Sequence, residues 1–419
     1  MSYIIGAGMT GLAAGISSGF PVLEKLDHPG GICSSYTIDG YHFEQGGGHW
    51  IFGGDPPLTR FLSGISPMKQ YTRRSAVLFL DGDLKGTFVP YPIQNNLWAL
   101  PKAMRGDVLQ EIIYHGNRKQ IKTMAGWLRA SFGRTLSGLF FSPFHERYTA
   151  GLYKTIAPQD GYKSPVDREA VVLGAKQETK DAGYNATFMY PERGMDVLAR
   201  GLADRCTVNY GDEISSIKVA DGRMIISTIP LNQTVEMAGL VEASHGGIYG
   251  SRPSTPDPYT SVMVLNLGVT LPDTPLARHG YHWLYIPDST IGFHRIGYYS
   301  NVDPMFLPED RRDKSHASLY IETAFRERPA QGILDATVIS VMSELQQCGL
   351  IERVEISDPT FVDVAYTWRN PNSTWVERSI AACRANNIEP VGRYGRWCFQ
   401  GIAASIREGL MVGSMLKGG

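Results

Sequence analysis

Ser2-Tyr3-Ile4-Ile5-Gly6-Ala7-Gly8-Met9-Thr10-Gly11-Leu12-Ala13-Ala14-Gly15-Ile16 is an apolar strand, a glycine-rich turn and the start of a helix in unbroken succession. Gly6 permits the tight turn, Gly8 lets the backbone approach a pyrophosphate, and Gly11 lets helix and strand pack closely. The unpaired N–H groups at the helix start then face the phosphates. Val22-Leu23-Glu24 reads as the second strand, with Glu24 set to accept hydrogen bonds from a ribose diol. A lone glycine motif is compatible with an ordinary turn. Strand, loop, helix and acidic residue in this order predict a dinucleotide site, and Gly30-Gly31, soon after Glu24, suits FAD better than NAD.

Further along, Gly47-Gly48-His49-Trp50-Ile51-Phe52 brings backbone without side-chain bulk, followed by an imidazole, to where a flavin ring lies in such a protein. That combination points to flavin chemistry rather than NAD-dependent dehydrogenation. The chain has 419 residues, enough for two or three subdomains and a large core. Its net charge is -1 and no run of Lys or Arg stands out, so neither a nucleic-acid nor a membrane partner is expected. With the first strand starting at residue 2, no signal or transit peptide is expected, and no apolar run reaches transmembrane length. Cys33, Cys206, Cys348, Cys383 and Cys398 are scattered and lack metal spacing. Reduced thiols in the cytoplasm, and no metal, follow as expectations.

The predicted fold class is α/β. A discontinuous Rossmann-type FAD-binding domain takes in 1–52, 181–250 and 380–419, a helical substrate-gating domain 97–180, and an antiparallel-sheet substrate domain 53–96 and 251–379. Ile225-Ile226-Ser227-Thr228-Ile229-Pro230 reads as a buried strand that ends at proline and crosses back through the FAD domain. In the helical part, Leu109, Ile112 and Ile113 share one face, as do Ile121, Met124 and Leu128, and both stripes read as core. Residues 259–300 alternate Val, Tyr, Ile and Trp with turn signals, which predicts antiparallel strands. Leu334, Val338, Val341, Met342, Leu345 and Cys348 form a helical stripe that stops at Gly349.

Five stretches then carry a resemblance: Gly47 to Phe52; Val89-Pro90-Tyr91-Pro92-Ile93-Gln94-Asn95-Asn96; Asn185-Ala186-Thr187-Phe188; Trp283-Leu284-Tyr285-Ile286-Pro287 running to Arg295; and Gly392-Arg393-Tyr394-Gly395-Arg396-Trp397. In kind, order and spacing they resemble UDP-galactopyranose mutases, especially the eukaryotic type, across nearly the whole chain. The resemblance implies isomerisation of a nucleotide-activated hexopyranose to its furanose form with no net redox change. In that family N5 of reduced FAD is the nucleophile toward the anomeric carbon, and covalent catalysis splits one hard rearrangement into easier steps.

By the same resemblance His49 and Arg295 are the catalytic candidates, His49 beside the flavin and Arg295 on the diphosphate. Tyr285 and Tyr366 resemble the family's diphosphate-bonding tyrosines; as bare tyrosines both read as core. Asn185 matches a residue at the diphosphate, and Tyr91 and Gln94 match the nucleotide pocket. Arg393 and Gly395 match the C-terminal flavin turn, which joins Gly6, Gly8, Gly11, Glu24, Gly30, Gly31, Gly47 and Gly48 as the cofactor set.

The departures fall on the nucleotide side. Lys163 is the nearest cation to where the family has an arginine, His145 stands in place of an asparagine, and Phe399 replaces a tyrosine. Lysine supplies charge without the planar fork of arginine. The pattern points to a nucleotide sugar other than UDP-galactose, with an external reductant (NAD(P)H or a reductase), in a chain free to form a homo-oligomer. An alternative reading is an amine-oxidase-like or protoporphyrinogen-oxidase-like flavoenzyme, which shares the glycine loop, Glu24 and Tyr190-Pro191-Glu192-Arg193-Gly194-Met195.

Overall fold

A computed structural model describes residues 2–113, 121–159, 161, 166–179, 185–218, 223–240 and 255–417. Its first layer is a five-stranded sheet in the order Val208–Tyr210, Val22–Glu24, Tyr3–Ile5, Ile225–Ser227 and Ile388–Pro390, with every pair parallel. Parallel strands are buried on both faces and so read as short apolar runs, as Tyr3–Ile5 and Ile225–Ser227 do. The sheet draws on segments from the start, middle and end of the chain, a mixed α/β fold of Rossmann type. The Ile225 strand ends at Ser227, earlier than the proline, and Pro230 instead opens the helix Leu231–Met237.

The helix Met9–Ser18, leaving the first strand, packs against the last helix, Ile402–Leu416. Two glycines of the last helix set the approach. A Cβ on Gly409 would stand 2.3 Å from the Thr10 carbonyl oxygen, and one on Gly413 would stand 2.4 Å from that of Ala14. The two ends of the chain are thereby locked together beneath the glycine loop.

The second layer is a seven-stranded sheet in the order Arg353–Thr367, Tyr259–Thr270, His316–Phe325, Phe293–Tyr298, Trp283–Tyr285, Ser75–Leu78 and Phe88–Pro90. It is antiparallel except where Trp283–Tyr285 pairs in parallel with Ser75–Leu78. Side chains alternate across it. Leu284, Ile296, Leu319 and Ile321 pack with Val341 and Leu345 of the helix Gln331–Gln347, which stops at Gly349 with φ +71°. Trp283, Tyr285, Arg295, Tyr320 and Glu322 face the other way, into a cavity.

Helices Met124–Leu136 and Ser142–Tyr148 border the far side of that cavity, with Lys102–Ile113 packed behind them, and Val108, Ile112, Met124 and Leu128 form their shared core. A small sheet of Ile51–Phe52, Thr187–Pro191 and Met68–Thr72 crosses the expected boundary near residue 52, because Met68–Thr72 pairs with Thr187–Pro191.

Two histidines on the segment leading into the strand Trp283–Tyr285, His279 half-buried and His282 buried, make the fold acid-sensitive. Burial lowers the pKa of His279 to about 4, and burial together with the neighbouring Arg74 lowers that of His282 to about 4. His282 accepts a hydrogen bond from Arg74 Nε at 3.2 Å, which requires the neutral ring. Both folded pKa values lie below that of an unfolded histidine, so the unfolded chain binds more protons between about pH 6.5 and 4. Stability is therefore complete above that range and falls as the pH drops through it, by up to about 1.4 kcal/mol per pH unit for each histidine. Urea midpoints measured from pH 7 to pH 4 should fall, and His279→Phe should flatten the slope. Parallel curves for variant and parent would remove His279 from the effect.

Candidate active site

The turn after Ile5 shows why each glycine is there. Gly6 has φ +95°, and a Cβ on Gly11 would stand 1.9 Å from the Gly6 carbonyl oxygen. Around the Cβ position of Gly8 there is no atom within 4 Å, so this side of the turn is open. It faces the start of helix Met9–Ser18, which has no side-chain cap and no acidic residue in its first turn. Free N–H groups and an open approach are what a phosphate needs. The Glu24 carboxylate accepts from Ala7 N–H at 2.7 Å and Leu26 N–H at 3.0 Å, so it braces the loop. Gly30, with φ +107°, donates its N–H to the Ala7 carbonyl at 2.9 Å, and Gly31 follows at φ +57°. Glycine loop, helix start, Glu24 and the Gly30-Gly31 turn therefore form one continuous cradle.

Beyond this cradle lies a cavity of about 310 Å³, bounded by the His49 loop, the seven-stranded sheet, the helix Ser142–Tyr148 and the C-terminal turn at Arg393. His49 Nδ1 lies 2.9 Å from the Gly47 carbonyl oxygen, and burial lowers its pKa to about 4. The ring is thus neutral at pH 7, with Nδ1–H donating to Gly47 and Nε2 an acceptor. Gly47 itself sits behind the cavity wall at φ +82°. A Cβ on Gly48 would fall 2.3 Å from the Tyr320 hydroxyl, so the loop approaches the sheet closely only because it lacks side chains.

Arg295 and Glu322 face each other in register on neighbouring strands. Arg295 Nη1 donates to Glu322 Oε1 at 3.0 Å. The other carboxylate oxygen receives His294 Nε2 and the Tyr366 hydroxyl, each at 3.2 Å. Burial alone would raise the Glu322 pKa, but Arg295, His294 and Tyr366 outweigh it and hold it at about 2. Burial likewise opposes the Arg295 charge, and Glu322 outweighs it, leaving the guanidinium pKa well above its ordinary value. The guanidinium carbon lies 5.5 Å from the centre of the Tyr285 ring, and Nε has no hydrogen-bond partner among the described residues. Arg393 donates from Nη2 to the Ala365 carbonyl at 2.9 Å and lies 5.2 Å from the ring centres of both Tyr366 and Phe399. Gly395 is a packing glycine, since a Cβ there would come within 2.9 Å of the Ser227 carbonyl oxygen.

Of the remaining sequence candidates, Tyr91, His145, Asn185, Tyr285, Tyr366 and Phe399 all border the cavity. The Tyr91 ring lies 4.5 Å from that of Tyr285, centre to centre. His145 Nδ1 bonds the Phe141 carbonyl at 2.7 Å, and Asn185 holds a positive φ of +61°. Gln94 does not reach the cavity: it is 0 % exposed. Its turn, Ile93–Asn95, is clamped against the helix Arg168–Lys176, where a Cβ on Gly174 would stand 1.9 Å from the Asn95 carbonyl oxygen. Lys163 lies outside the described residues.

Sequence reasoning missed two charged members of the wall, Glu322 and Arg73. Glu322 had a signal, a lone carboxylate inside the apolar strand His316–Phe325. Arg73, whose guanidinium carbon lies 5.8 Å from the Tyr91 ring centre, had none, because Arg73-Arg74 reads as a solvated pair.

Among the described residues, no helix is long and apolar enough to cross a membrane, and no group of His, Cys, Asp and Glu could hold a metal ion. Residues 13–245 match the family described as flavin containing amine oxidoreductase. The fold is similar to that of a reduced UDP-galactopyranose mutase, with a TM-score of 0.84 at 21% identity over 99% of this chain and 93% of that one. It is also similar to a protein assigned as a protoporphyrinogen oxidase from Exiguobacterium sp. 255-15, with a TM-score of 0.71 at 14% identity, covering 99% of this chain and 98% of the other. Cyclohexylamine oxidase from Brevibacterium oxydans IH-35A gives a TM-score of 0.60 at 13% identity, covering 100% and 98%. At these identities the likeness concerns the fold, whereas the family match spans more than half of the chain. With an open glycine cradle suited to a pyrophosphate, the chain belongs to the flavin-containing amine oxidoreductase family, and its cofactor is FAD.

Proposed function

We propose that this flavoenzyme converts a nucleotide-activated hexopyranose into its furanose isomer without net redox change. The observation that carries the reading is the charge of the cavity wall. Among the described residues that wall carries three guanidiniums, Arg73, Arg295 and Arg393, and one carboxylate, Glu322, a formal balance of +2. Such a wall suits a diphosphate and repels a protonated amine.

Gly6, Gly8, Gly11, Glu24, Gly30 and Gly31 would hold the dinucleotide part of FAD, and Gly48 and Arg393 its ring side, with Gly47 shaping the loop from behind. Bound and reduced, FAD supplies the nucleophile for the anomeric carbon. The chain's own residues do the rest. Arg295 binds the diphosphate through a permanent charge, with Tyr285 and Tyr366 beside it. Tyr91, Asn185 and His145 form the side that meets the nucleotide, and the cavity walls keep the cleaved pieces close enough to recombine. His49 presents a neutral acceptor nitrogen, held in one tautomer by Gly47. A reductant outside the chain keeps the flavin reduced, and the cytoplasm is the compartment that fits.

A second reading, a redox enzyme of the amine-oxidase type, is favoured by the family match and by the dense aromatic wall of Trp283, Tyr285, Tyr366 and Trp368. Oxygen separates the two. An oxidase turns over in air, whereas a mutase is silent until its FAD is reduced.

Dithionite-reduced enzyme, incubated without oxygen with UDP-, dTDP-, GDP- and CDP-hexoses, should give an isomeric product that oxidised enzyme does not. No isomer from any donor, together with oxygen uptake on amines, would establish the second reading. His49→Ala should retain FAD, seen in its absorbance, and lose turnover; full activity in that variant removes His49 from the mechanism. Arg295→Ala should weaken nucleoside-diphosphate binding by about 2 kcal/mol or more, the scale for truncating one partner of a buried charge pair. Calorimetry showing equal affinity would put the diphosphate elsewhere.

A further inference from the structure

An anion-binding cavity with a buried carboxylate in its wall is an electrostatic contradiction. Coulomb's law opposes it, since Glu322 repels the same diphosphate that Arg295 attracts. Yet Glu322 is not incidental. It sits directly opposite Arg295 in strand register and accepts three hydrogen bonds, from Arg295, His294 and Tyr366. It also backs the His49 loop, because a Cβ on Gly47 would lie 3.5 Å from Glu322 Oε1.

We infer that Glu322 is a positioning residue. It fixes the plane of the Arg295 guanidinium so that the part of the fork not bonded to Glu322, on a side chain 23 % exposed, stays turned toward a phosphate oxygen. The inference rests on the diphosphate reading above. Arginine is a planar fork on a long flexible stem, and its value at a phosphate lies in orientation. Glu322 grips one end of the fork and the Tyr285 ring lies 5.5 Å from the guanidinium carbon, which together limit the orientations open to it. A pre-oriented donor avoids the ordering cost that a mobile one meets on binding. The His294 bond requires its proton on Nε2, so the carboxylate is anchored in turn from the buried side.

The test uses the sign of an effect. Loss of a negative charge should by charge alone tighten anion binding, whereas loss of positioning should weaken it. Oxidised holoenzyme is titrated with UDP, dTDP, GDP and CDP, followed by flavin absorbance, and the tightest is carried through the variants. Glu322→Gln should bind at least tenfold more weakly. Glu322→Asp, which keeps the charge and withdraws it from the guanidinium, should also bind more weakly. In an Arg295→Ala background, Glu322→Gln should cause no further loss, because its effect passes through Arg295. Unchanged or tighter binding in Glu322→Gln overturns the inference, as does an equal loss in both backgrounds. Should the Gln variant fail to fold, unchanged affinity in Glu322→Asp overturns it. Unchanged affinity in Arg295→Ala alone overturns the diphosphate reading, and this inference with it, so the two failures are distinct.

Discussion

The pair of half-buried Arg295 and buried Glu322 is the constraint around which the cavity is arranged. Taking two charges out of water costs several kcal/mol for each ion, and mutual attraction offsets this only with good geometry and further hydrogen bonds. Strand register supplies the geometry and His294 and Tyr366 supply the bonds. The neighbours then follow. Tyr320, on the same strand as Glu322, packs over Gly297, where a Cβ would stand 1.9 Å from its ring, and under Gly48. Such pairs add little net stability, so its presence in the cavity wall is an argument for function.

A second constraint joins the cofactor end to this wall. The helix that starts at Met9 is pinned by Gly409 and Gly413 of the last helix, and Gly392 turns against the Thr10 side chain with φ +79°. The turn that follows Gly392 carries Arg393 into the cavity. The helix that presents its N-terminus to phosphates is therefore held by the same C-terminal segment that supplies a cation to the wall. Cofactor cradle and cavity are two ends of one packed unit, in keeping with a parallel sheet assembled from distant segments of the chain.

Much of this was legible in sequence where a residue type has only one use. Gly6 and Gly11 are demanded by a positive φ and by a backbone approach, and both are visible as spacing. The stripe Leu334 to Cys348 gave a helix with its end at Gly349, since a 3.6-residue period and an αL stop are local. Tyr285 and Tyr366 were visible only through the resemblance, because an aromatic residue in a strand reads equally well as core. Glu322 and Arg73 went unseen and Gln94 was misplaced, each for the same reason: their surroundings are made by other segments. The turn that holds Gln94 is packed at the Asn95 backbone against Gly174, far along the chain, and no pattern around Gln94 reports that contact.

Local chemistry, then, determined the dinucleotide loop, the flavin class and the alternation of the strands, because backbone freedom and side-chain period act within a few residues. Tertiary structure decided the sign and balance of charge in the cavity. That balance depends on which of the charged residues at 73, 295, 322 and 393 share one low-dielectric space, and only the pairing of strands and the packing of the chain ends bring them together.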